Sequence, residues 1–242
     1  MKVDVKLSPL AAEARTHLDA TVIVVDVLRA STTIITALAN GARNVVPVLT
    51  PDEAATLKLR YDSANVLLGG ERGGVKIQGF DLGNSPLEYT EETVSGKTIV
   101  FTSTNGTEAI RKTTSAQTVL IGAYLNLEAV ARFAVELGKD VIIMCAGNQG
   151  SFALEDAACA GAFCMAISRL TSVEESDSAR AARMIASSFD TVIDTFHASA
   201  HGRNLVNLGF SEDLEYCARF NTTDVIPEYY NGHLIIRQKK SH

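Results

Sequence analysis

The chain has 242 residues, of which 46% are hydrophobic and 21% charged, so it has ample material for a core and no compositional sign of disorder. Its net charge of −6, from 28 acidic and 22 basic residues, argues against a nucleic-acid partner, because nucleic-acid binders normally carry a basic stripe. The basic cluster at 237–240 fits a solvated terminus. An acidic protein that binds an anion must place positive groups locally, as arginines, a metal ion or helix N-termini.

Length and local signals suggest a compact intracellular protein. The length fits one large α/β domain or two tightly joined lobes. The opening residues lack the apolar segment of a secretory signal, and no apolar run approaches the roughly 20 residues that span a bilayer. We therefore expect a cytoplasmic protein with no membrane partner. The four cysteines include no C-x-x-C pair, which predicts reduced thiols rather than a structural zinc site.

In the first third of the chain, short β-branched runs alternate with helical patterns. The predicted elements are strands at 22–25, 45–49 and 64–68, a helix at 31–40, and a helix that starts at Thr50 with a capping-box pattern. Pro47 predicts an edge or irregular position for the second strand, because proline cannot donate to a sheet ladder. Residues 69–86 are glycine-rich and show neither a helical nor a strand period, which predicts a functional loop.

The alternation resumes after this loop. The predicted elements are strands at 98–101, 119–123, 141–144 and 234–236, and helices from Asn105, at 126–138, at 154–170 and over most of 174–220. This order predicts an α/β fold with a mostly parallel sheet and helices on both faces. Ligands of such sheets bind beyond the carboxyl ends of the strands, so reactive residues should follow strands.

Polar residues do follow four of the predicted strands. The four segments are 26–32, 70–74 with 80–86, 102–107, and 145–150 with Glu155 and Asp156 shortly beyond. Each carries carboxylates or small hydroxyl, amide and glycine residues, a distribution that is hard to obtain by chance. We therefore predict one site at the carboxyl edge of the sheet.

The carboxylates predict a metal site. Asp26, Glu71 and Asp81 should converge at this edge, and hard oxygen ligands with open water positions suit Mg²⁺. A helix cap or a surface ion pair would also explain each acid alone, but three in one cleft favour metal binding or catalysis. Glu155 and Asp156 open a helix, where the dipole favours acids. They face the same edge, so one of them could also be a ligand or a base.

Other residues are candidates for binding an anion. The predicted substrate-binding residues are Ser31, Thr32, Ser103, Thr104, Asn105, Gly106, Thr107 and Asn148. The segment 102–107 joins a strand to a helix start, where free amides and hydroxyls favour a phosphate. An ordinary capping box would explain the same segment. Arg29 and Arg72 are candidates for bidentate phosphate contact, or for pairing with Asp26 or Glu71.

Several familiar chemistries lack their motifs. Leu28 stands where a haloacid-dehalogenase-type phosphatase needs a second Asp, and Ser151 stands where a cysteine phosphatase needs Arg. No P-loop, dinucleotide fingerprint or G-x-S-x-G elbow occurs. His197 and His201 are spaced for one helix face, but without an H-E-x-x-H pattern we predict a surface or helix-end role for them.

Together, the motifs resemble the 2-phosphosulfolactate phosphatase family. They are Val-Asp-Val-Leu-Arg-Ala-Ser-Thr-Thr at 25–33, Gly-Glu-Arg-Gly at 70–73 with Gly-Phe-Asp-Leu-Gly-Asn-Ser-Pro at 79–86, Thr-Asn-Gly-Thr at 104–107, and Cys-Ala-Gly at 145–147 with Glu155-Asp156. The similarity runs from near residue 20 to about residue 165, and more loosely to the end. Each motif is weak alone, but four in order at strand ends are specific.

The resemblance implies a three-layer α/β/α sandwich, with residues 1–242 as a single α/β phosphatase domain. It also implies a Mg²⁺-dependent phosphatase that converts 2-phospho-3-sulfolactate to 3-sulfolactate and phosphate, a step of coenzyme M biosynthesis. One mechanism fits both the residue patterns and the family resemblance. In it, Mg²⁺ is held by some of the predicted acids, and Asp26 is the catalytic carboxylate. Arg29 and Arg72 stabilise the transferring phosphoryl group.

Two alternatives remain open at this point. One is a phosphatase of related 2-phospho-hydroxy acids, and the other is a non-catalytic binding protein for sulfonates or phosphorylated acids. In every case the partner is a small anionic molecule. The patterns do not encode an oligomeric state, although a homodimer fits them.

Overall fold

A computed structural model describes residues 1–8 and 19–237 of the chain. These residues contain eleven strands and ten α-helices. The strands are β1 (Lys2–Lys6), β2 (Thr21–Val25), β3 (Asn44–Pro47), β4 (Val66–Arg72), β5 (Val75–Lys76), β6 (Thr98–Thr102), β7 (Thr118–Gly122), β8 (Val141–Cys145), β9 (Glu174–Glu175), β10 (Pro227–Tyr230) and β11 (His233–Ile236). The helices are α1 (Ala30–Ala39), α2 (Pro51–Lys58), α3 (Glu91–Val94), α4 (Gly106–Lys112), α5 (Leu127–Glu136), α6 (Leu154–Leu170), α7 (Asp177–Ser187), α8 (Val192–Ala198), α9 (Ala200–Asn207) and α10 (Ser211–Cys217).

The strands form one mixed sheet in the order β5-β4-β6-β3-β11-β10-β7-β2-β8-β1-β9. The parallel pairs are β1–β8, β1–β9, β2–β7, β2–β8, β3–β6 and β4–β6. The antiparallel pairs are β4–β5, β10–β11, β7–β10 and β3–β11. Parallel pairs predominate and helices cover both faces, which confirms the predicted α/β sandwich.

The centre of the sheet positions the site. Every residue of β2 is buried, as expected for a β-branched strand covered on both faces. Val25, the last residue of β2, pairs with Gly122 of β7 and with Cys145 of β8. Because these three strands end in register, the segments that follow them leave the sheet at the same edge.

Pro47 does not mark an edge strand, so that part of the prediction is wrong. β3 lies inside the sheet, where it is parallel to β6 and antiparallel to β11. Pro47 is the last residue of β3, and β11 pairs with this strand two residues earlier, through Leu234 and Val45. The missing N–H of proline therefore falls where the ladder with β11 has already ended.

The glycine-rich segment is more regular than its sequence suggests. β4 continues through Gly69 and Gly70 to Arg72 and then turns back into β5, so Glu71 lies on a strand rather than in a loop. Gly70 has a φ of 141°, and a Cβ atom there would lie 1.9 Å from the carbonyl oxygen of Thr102. Only glycine lets β4 pass this close to β6.

The C-terminal hairpin of β10 and β11 is inserted between β7 and β3 in the middle of the sheet. Of the two strands only β11 was predicted. Arg237, the first residue of the basic cluster at 237–240, is paired with Glu228, and the other residues of that cluster lie outside the described part. Within the described residues, no helix is long and apolar enough to cross a membrane. All four cysteines are buried free thiols.

Candidate active site

Four acidic residues are buried together where β2 and β4 end and α6 begins. We call Asp26, Glu71, Glu155 and Asp156 the acid cluster; none of them is more than 7% exposed. Each belongs to a segment that the sequence placed at a strand end. Glu71 and Glu155 are close enough to Asp26 for their charges to raise its pKa. The predicted convergence at one edge is therefore present for these four acids.

Asp26 has the environment expected of a functional carboxylate. Burial is the main cause that raises its pKa to about 6; the charge of His201 opposes the rise, and the charges of Glu71 and Glu155 add to it. Its backbone forms the turn into α1. The Asp26 N–H donates to Oγ of Ser31 at 2.9 Å, and the Ser31 N–H donates to the Asp26 carbonyl oxygen at 2.8 Å.

Gly106 brings the start of α4 against the carboxyl group of Asp26. A Cβ atom at this position would lie 2.6 Å from Oδ2 of Asp26 and 2.7 Å from the Cβ atom of Ala30. Both distances are shorter than van der Waals contact, so any larger residue would displace one of these groups. The role of Gly106 is thus close packing beside the acid.

Glu71 links the ends of β4 and β6. Its Oε1 accepts the backbone N–H of Thr104 at 2.7 Å. Its Oε2 accepts the N–H of Gly74 at 2.8 Å and the hydroxyl of Thr104 at 3.1 Å. Both carboxylate oxygens are therefore used to hold neighbouring loops.

Asp156 plays a similar part on the other side of Asp26. Its Oδ1 accepts the N–H of Val27 and its Oδ2 accepts the N–H of Gly147, both at 2.9 Å. These bonds join the segments that follow β2 and β8. Burial raises the pKa of Asp156 well above its usual value, and the charges of Asp26 and Glu155 raise it further.

His201 completes the cluster, although the sequence suggested a surface or helix-end role. It lies near the start of α9, but its Nδ1 is 3.3 Å from Oε1 of Glu155. Burial, the largest influence, lowers the pKa of His201. The hydrogen bond and charge of Glu155, together with the charge of Asp26, outweigh it and raise the pKa. No local motif marks His201, because its partners are distant in sequence.

Asp81 is not brought into the acid cluster. Its Oδ2 accepts the Nζ of Lys58 and the backbone N–H of Leu68, both at 2.8 Å. Leu68 precedes Glu71 by three residues on β4, which is roughly 10 Å along a strand. Burial works to raise the pKa of Asp81, but the contacts with Lys58 and Leu68 outweigh it and lower the pKa. Asp81 therefore forms a surface ion pair with Lys58, the alternative considered from the sequence, and it is not placed to share a metal with Asp26.

Arg29 is paired, but with neither of the acids considered from the sequence. Its side chain is 1% exposed, and Nη1 lies 2.5 Å from Oδ2 of Asp213 in α10. Nη2 donates to the carbonyl oxygen of Gly74 at 2.6 Å, and the guanidinium lies 4.3 Å from the centre of the Phe210 ring. Ser85 donates to the other oxygen of Asp213 at 2.6 Å. Arg29 is thus enclosed by protein groups and is not placed to contact a phosphate.

Among the residues that the structure describes, the acceptors that hold Arg72 are all neutral. Its Nη1 donates to the carbonyl oxygen of Glu71 at 2.7 Å, and its Nη2 donates to the carbonyl oxygen of Leu49 at 2.8 Å and to Oγ1 of Thr102 at 2.9 Å. These bonds fix the direction of the guanidinium without cancelling its charge. Arg72 therefore remains able to attract an anion.

The predicted hydroxyl and amide residues form the turns around the cluster. Ser103 accepts the N–H of Thr107 at 3.1 Å, whereas Asn105, at the expected cap position, accepts the N–H of Gln149 at 2.8 Å. Thr32 donates to the carbonyl oxygen of Val27 at 2.9 Å. Asn148 exchanges backbone hydrogen bonds with Ser151. The cap residue Asn105 therefore makes no side-chain cap, and Ser103 accepts a free N–H of the first turn of α4 instead.

The donor set of the acid cluster fits a magnesium ion. Within the described residues no group of three or more His, Cys, Asp or Glu forms a ready-made metal site. Mg²⁺, however, commonly takes one or two carboxylates and completes its shell with water and substrate phosphate. Since Glu71 and Asp156 use both oxygens on other groups, Asp26 and Glu155 are the acids that remain to hold such an ion.

Comparison with known proteins agrees with the family resemblance of the motifs. A sequence profile described as 2-phosphosulpholactate phosphatase matches residues 8–232. A probable 2-phosphosulfolactate phosphatase of Carboxydothermus hydrogenoformans is 44% identical over 242 residues, covering 99% of each chain. One of Symbiobacterium thermophilum is 46% identical over 88% of this chain and 93% of that protein. One of Clostridium acetobutylicum is 39% identical over 97% of this chain and 100% of that protein.

The profile spans nearly the whole chain, and these relatives are matched over nearly their whole length. The match includes every segment that contributes to the acid cluster, as well as α9 with His201. This chain belongs to the 2-phosphosulfolactate phosphatase family.

Proposed function

We propose that this chain is a Mg²⁺-dependent phosphatase that hydrolyses 2-phospho-3-sulfolactate to 3-sulfolactate and phosphate. Family membership supports the reaction, since the relatives carry that name. The observation that carries the proposal is the buried acid cluster at the carboxyl edge of the sheet. Buried carboxylates that raise one another's pKa are costly without a compensating cation, and the raised pKa of Asp26 reflects that cost.

Asp26 and Glu155 are the residues that would hold Mg²⁺. Their oxygens are hard ligands, and the ion, when bound, would neutralise charge on the phosphate ester. The protein groups around them fix this pair in place. Asp156 ties the backbone after Asp26 to Gly147, and Glu71 ties β4 to Thr104.

His201 balances charge at the cluster. The raised pKa of His201 favours the imidazolium, and its positive charge lowers the pKa of Asp26. His201 therefore helps to keep Asp26 ionised. Asp26, as a carboxylate beside the phosphorus centre, would either activate water or attack directly.

Phosphate release tests the proposal. Purified protein treated with EDTA should release little phosphate from 2-phospho-3-sulfolactate, and added Mg²⁺ should restore turnover. A binding protein would release none under either condition, and a metal-independent enzyme would be indifferent to the chelator. A panel of other 2-phospho-hydroxy acids measures substrate range, and a strong preference for the sulfonated ester would support a role in coenzyme M biosynthesis.

A further inference from the structure

A cleft of about 500 Å³ opens beside the acid cluster, between β4, β6 and α4. We call it the arginine cleft. The part of its lining that bears on function is Arg72, Arg111, Ser103, Thr104 and Thr107. Thr107 and Arg111 lie one turn apart on α4 and line one side of the cleft, and Thr104 lies just before that helix. Arg111 is not among the residues that the sequence singled out.

Within the part of the chain that the structure describes, no acid forms an ion pair with either arginine of the cleft. Arg72 donates only to two carbonyl oxygens and a hydroxyl. The exposed side chain of Arg111 makes no ion pair with any residue that the structure describes. Lys112 and the acidic residue Glu108 also line the cleft and are paired with each other at 2.8 Å, so together they add no net charge. In a chain with a net charge of −6, this local excess of positive charge favours an anion.

Thr104 connects the arginine cleft to the acid cluster. Thr104 lines the cleft and also donates both its N–H and its hydroxyl to Glu71. Two residues further on, Gly106 packs against Oδ2 of Asp26. A small molecule with two anionic groups could therefore place one at the acid cluster and the other in the cleft.

We infer that the arginine cleft binds the sulfonate of the substrate while the phosphate lies at the acid cluster. This inference rests on the proposed function and specifies how the substrate is chosen. A sulfonate stays fully ionised and offers three acceptor oxygens, which suit the two guanidinium groups. An ester without a second anion at that position leaves both arginines unpaired.

Arg111→Ala tests the inference when two substrates are compared. One is 2-phospho-3-sulfolactate, and the other is 2-phospholactate, in which a hydrogen replaces the sulfonate. Losing a charge-assisted hydrogen bond typically costs tenfold or more, so kcat/KM for the sulfonated ester should fall by about tenfold more than kcat/KM for 2-phospholactate. Arg43→Ala is the matched control, because Arg43 is an exposed arginine just before β3. Leu49, which lines the cleft, lies beyond the other end of that strand. Arg43→Ala should change neither value.

Equal losses on the two esters, or no loss on either, would overturn the inference. If wild-type protein hydrolyses neither ester, the proposed function fails, and calorimetric titration then tests the cleft on its own. In that titration 3-sulfolactate should bind wild type and Arg43→Ala alike and bind Arg111→Ala about tenfold more weakly, whereas lactate should not bind. Equal affinity of 3-sulfolactate for all three proteins would show that the arginine cleft does not hold the sulfonate.

Discussion

Nδ1 of His201 lies 3.3 Å from Oε1 of Glu155, which joins the start of α9 to the first turn of α6. The contact brings a positive charge to a group of buried acids. Asp26 is affected as well, because the charge of His201 lowers its pKa. The ionisation of Asp26 therefore depends on a residue 175 positions away in sequence, the difference between 201 and 26.

His201→Asn tests this dependence. Asparagine retains a hydrogen-bond donor toward Glu155 but carries no charge, so the pKa of Asp26 should rise. The acidic limb of the kcat/KM profile for phosphate release should then move to higher pH, because Asp26 must lose its proton to act. His197→Asn, an exposed histidine on α8, is the control and should leave the limb unchanged. An acidic limb at the same pH in wild type and His201→Asn would contradict the proposed role.

Asp26→Asn should abolish phosphate release while preserving the fold. The side chains have similar size, but the amide can neither hold a cation strongly nor act as a base or nucleophile. The expected loss of kcat is at least ~100-fold, as for removal of a general base or nucleophile. Phosphate release and circular dichroism on the same sample measure both properties. Near-normal turnover would remove Asp26 from the mechanism.

Asp26→Asn should also change how the free energy of unfolding depends on pH. The pKa of Asp26 is raised in the folded state from 3.8 to about 6. Its contribution to stability is therefore fully present below about pH 4 and is lost as the pH rises through 6. In EDTA at pH 8, Asp26→Asn should be more stable than wild type by up to about 3 kcal/mol, with a much smaller difference at pH 4. Urea unfolding at the two pH values measures this, and a difference that does not change with pH would contradict it.

Gly106→Ala should impair activity more than stability. The added Cβ would overlap Oδ2 of Asp26 and the Cβ atom of Ala30. Overpacking of this kind costs about 1–3 kcal/mol of unfolding free energy. The double variant Ala30→Gly/Gly106→Ala removes the second overlap but keeps the first, so it should recover part of the stability without recovering turnover. Thermal unfolding and phosphate release distinguish the two effects, and a double variant with full activity would show that the contact with Asp26 is unimportant.

The buried pair of Arg29 and Asp213 should be important for folding rather than chemistry. Asp213→Asn leaves the guanidinium of Arg29 buried beside a neutral group, which costs about 3–5 kcal/mol. Arg29→Met/Asp213→Asn removes the stranded charge, so its cost should be less than the sum of the two single variants. Denaturant unfolding of the three variants tests this coupling. Strictly additive losses would mean that the pair does not interact energetically.

Sequence patterns were sufficient for elements with a strong local period. The β-branched run of β2 and the boundaries of α6 were predicted closely, because a buried strand and a long helix are each specified by the pattern of neighbouring residues. The edge at which Asp26 and Glu71 meet also followed from the sequence. Parallel strands place their carboxyl ends together whatever their order, so that inference needed only the strands themselves.

What the sequence did not indicate depends on distant pairing. The position of β10 and β11 inside the sheet is set by their pairing with β7 and β3, which no local pattern encodes. Asp213 and His201 reach the site from the C-terminal helices, and neither lies in a recognisable motif. The prediction for Asp81 was wrong because closeness in sequence did not mean closeness in space. Asp81 shares a glycine-rich segment with Glu71, but the chain folds back and sets it beside Leu68.

The most direct measurement of the central claim is a crystal structure of the protein grown with Mn²⁺ in place of Mg²⁺ and with 3-sulfolactate. Anomalous scattering locates the manganese ion without reference to the protein chain. We expect one anomalous peak within coordination distance of carboxylate oxygens of Asp26 and Glu155, with Glu71 and Asp156 still bonded to Thr104, Val27 and Gly147. A peak elsewhere, with these acids contacting only protein groups and water, would contradict the assignment of the acid cluster as the metal site.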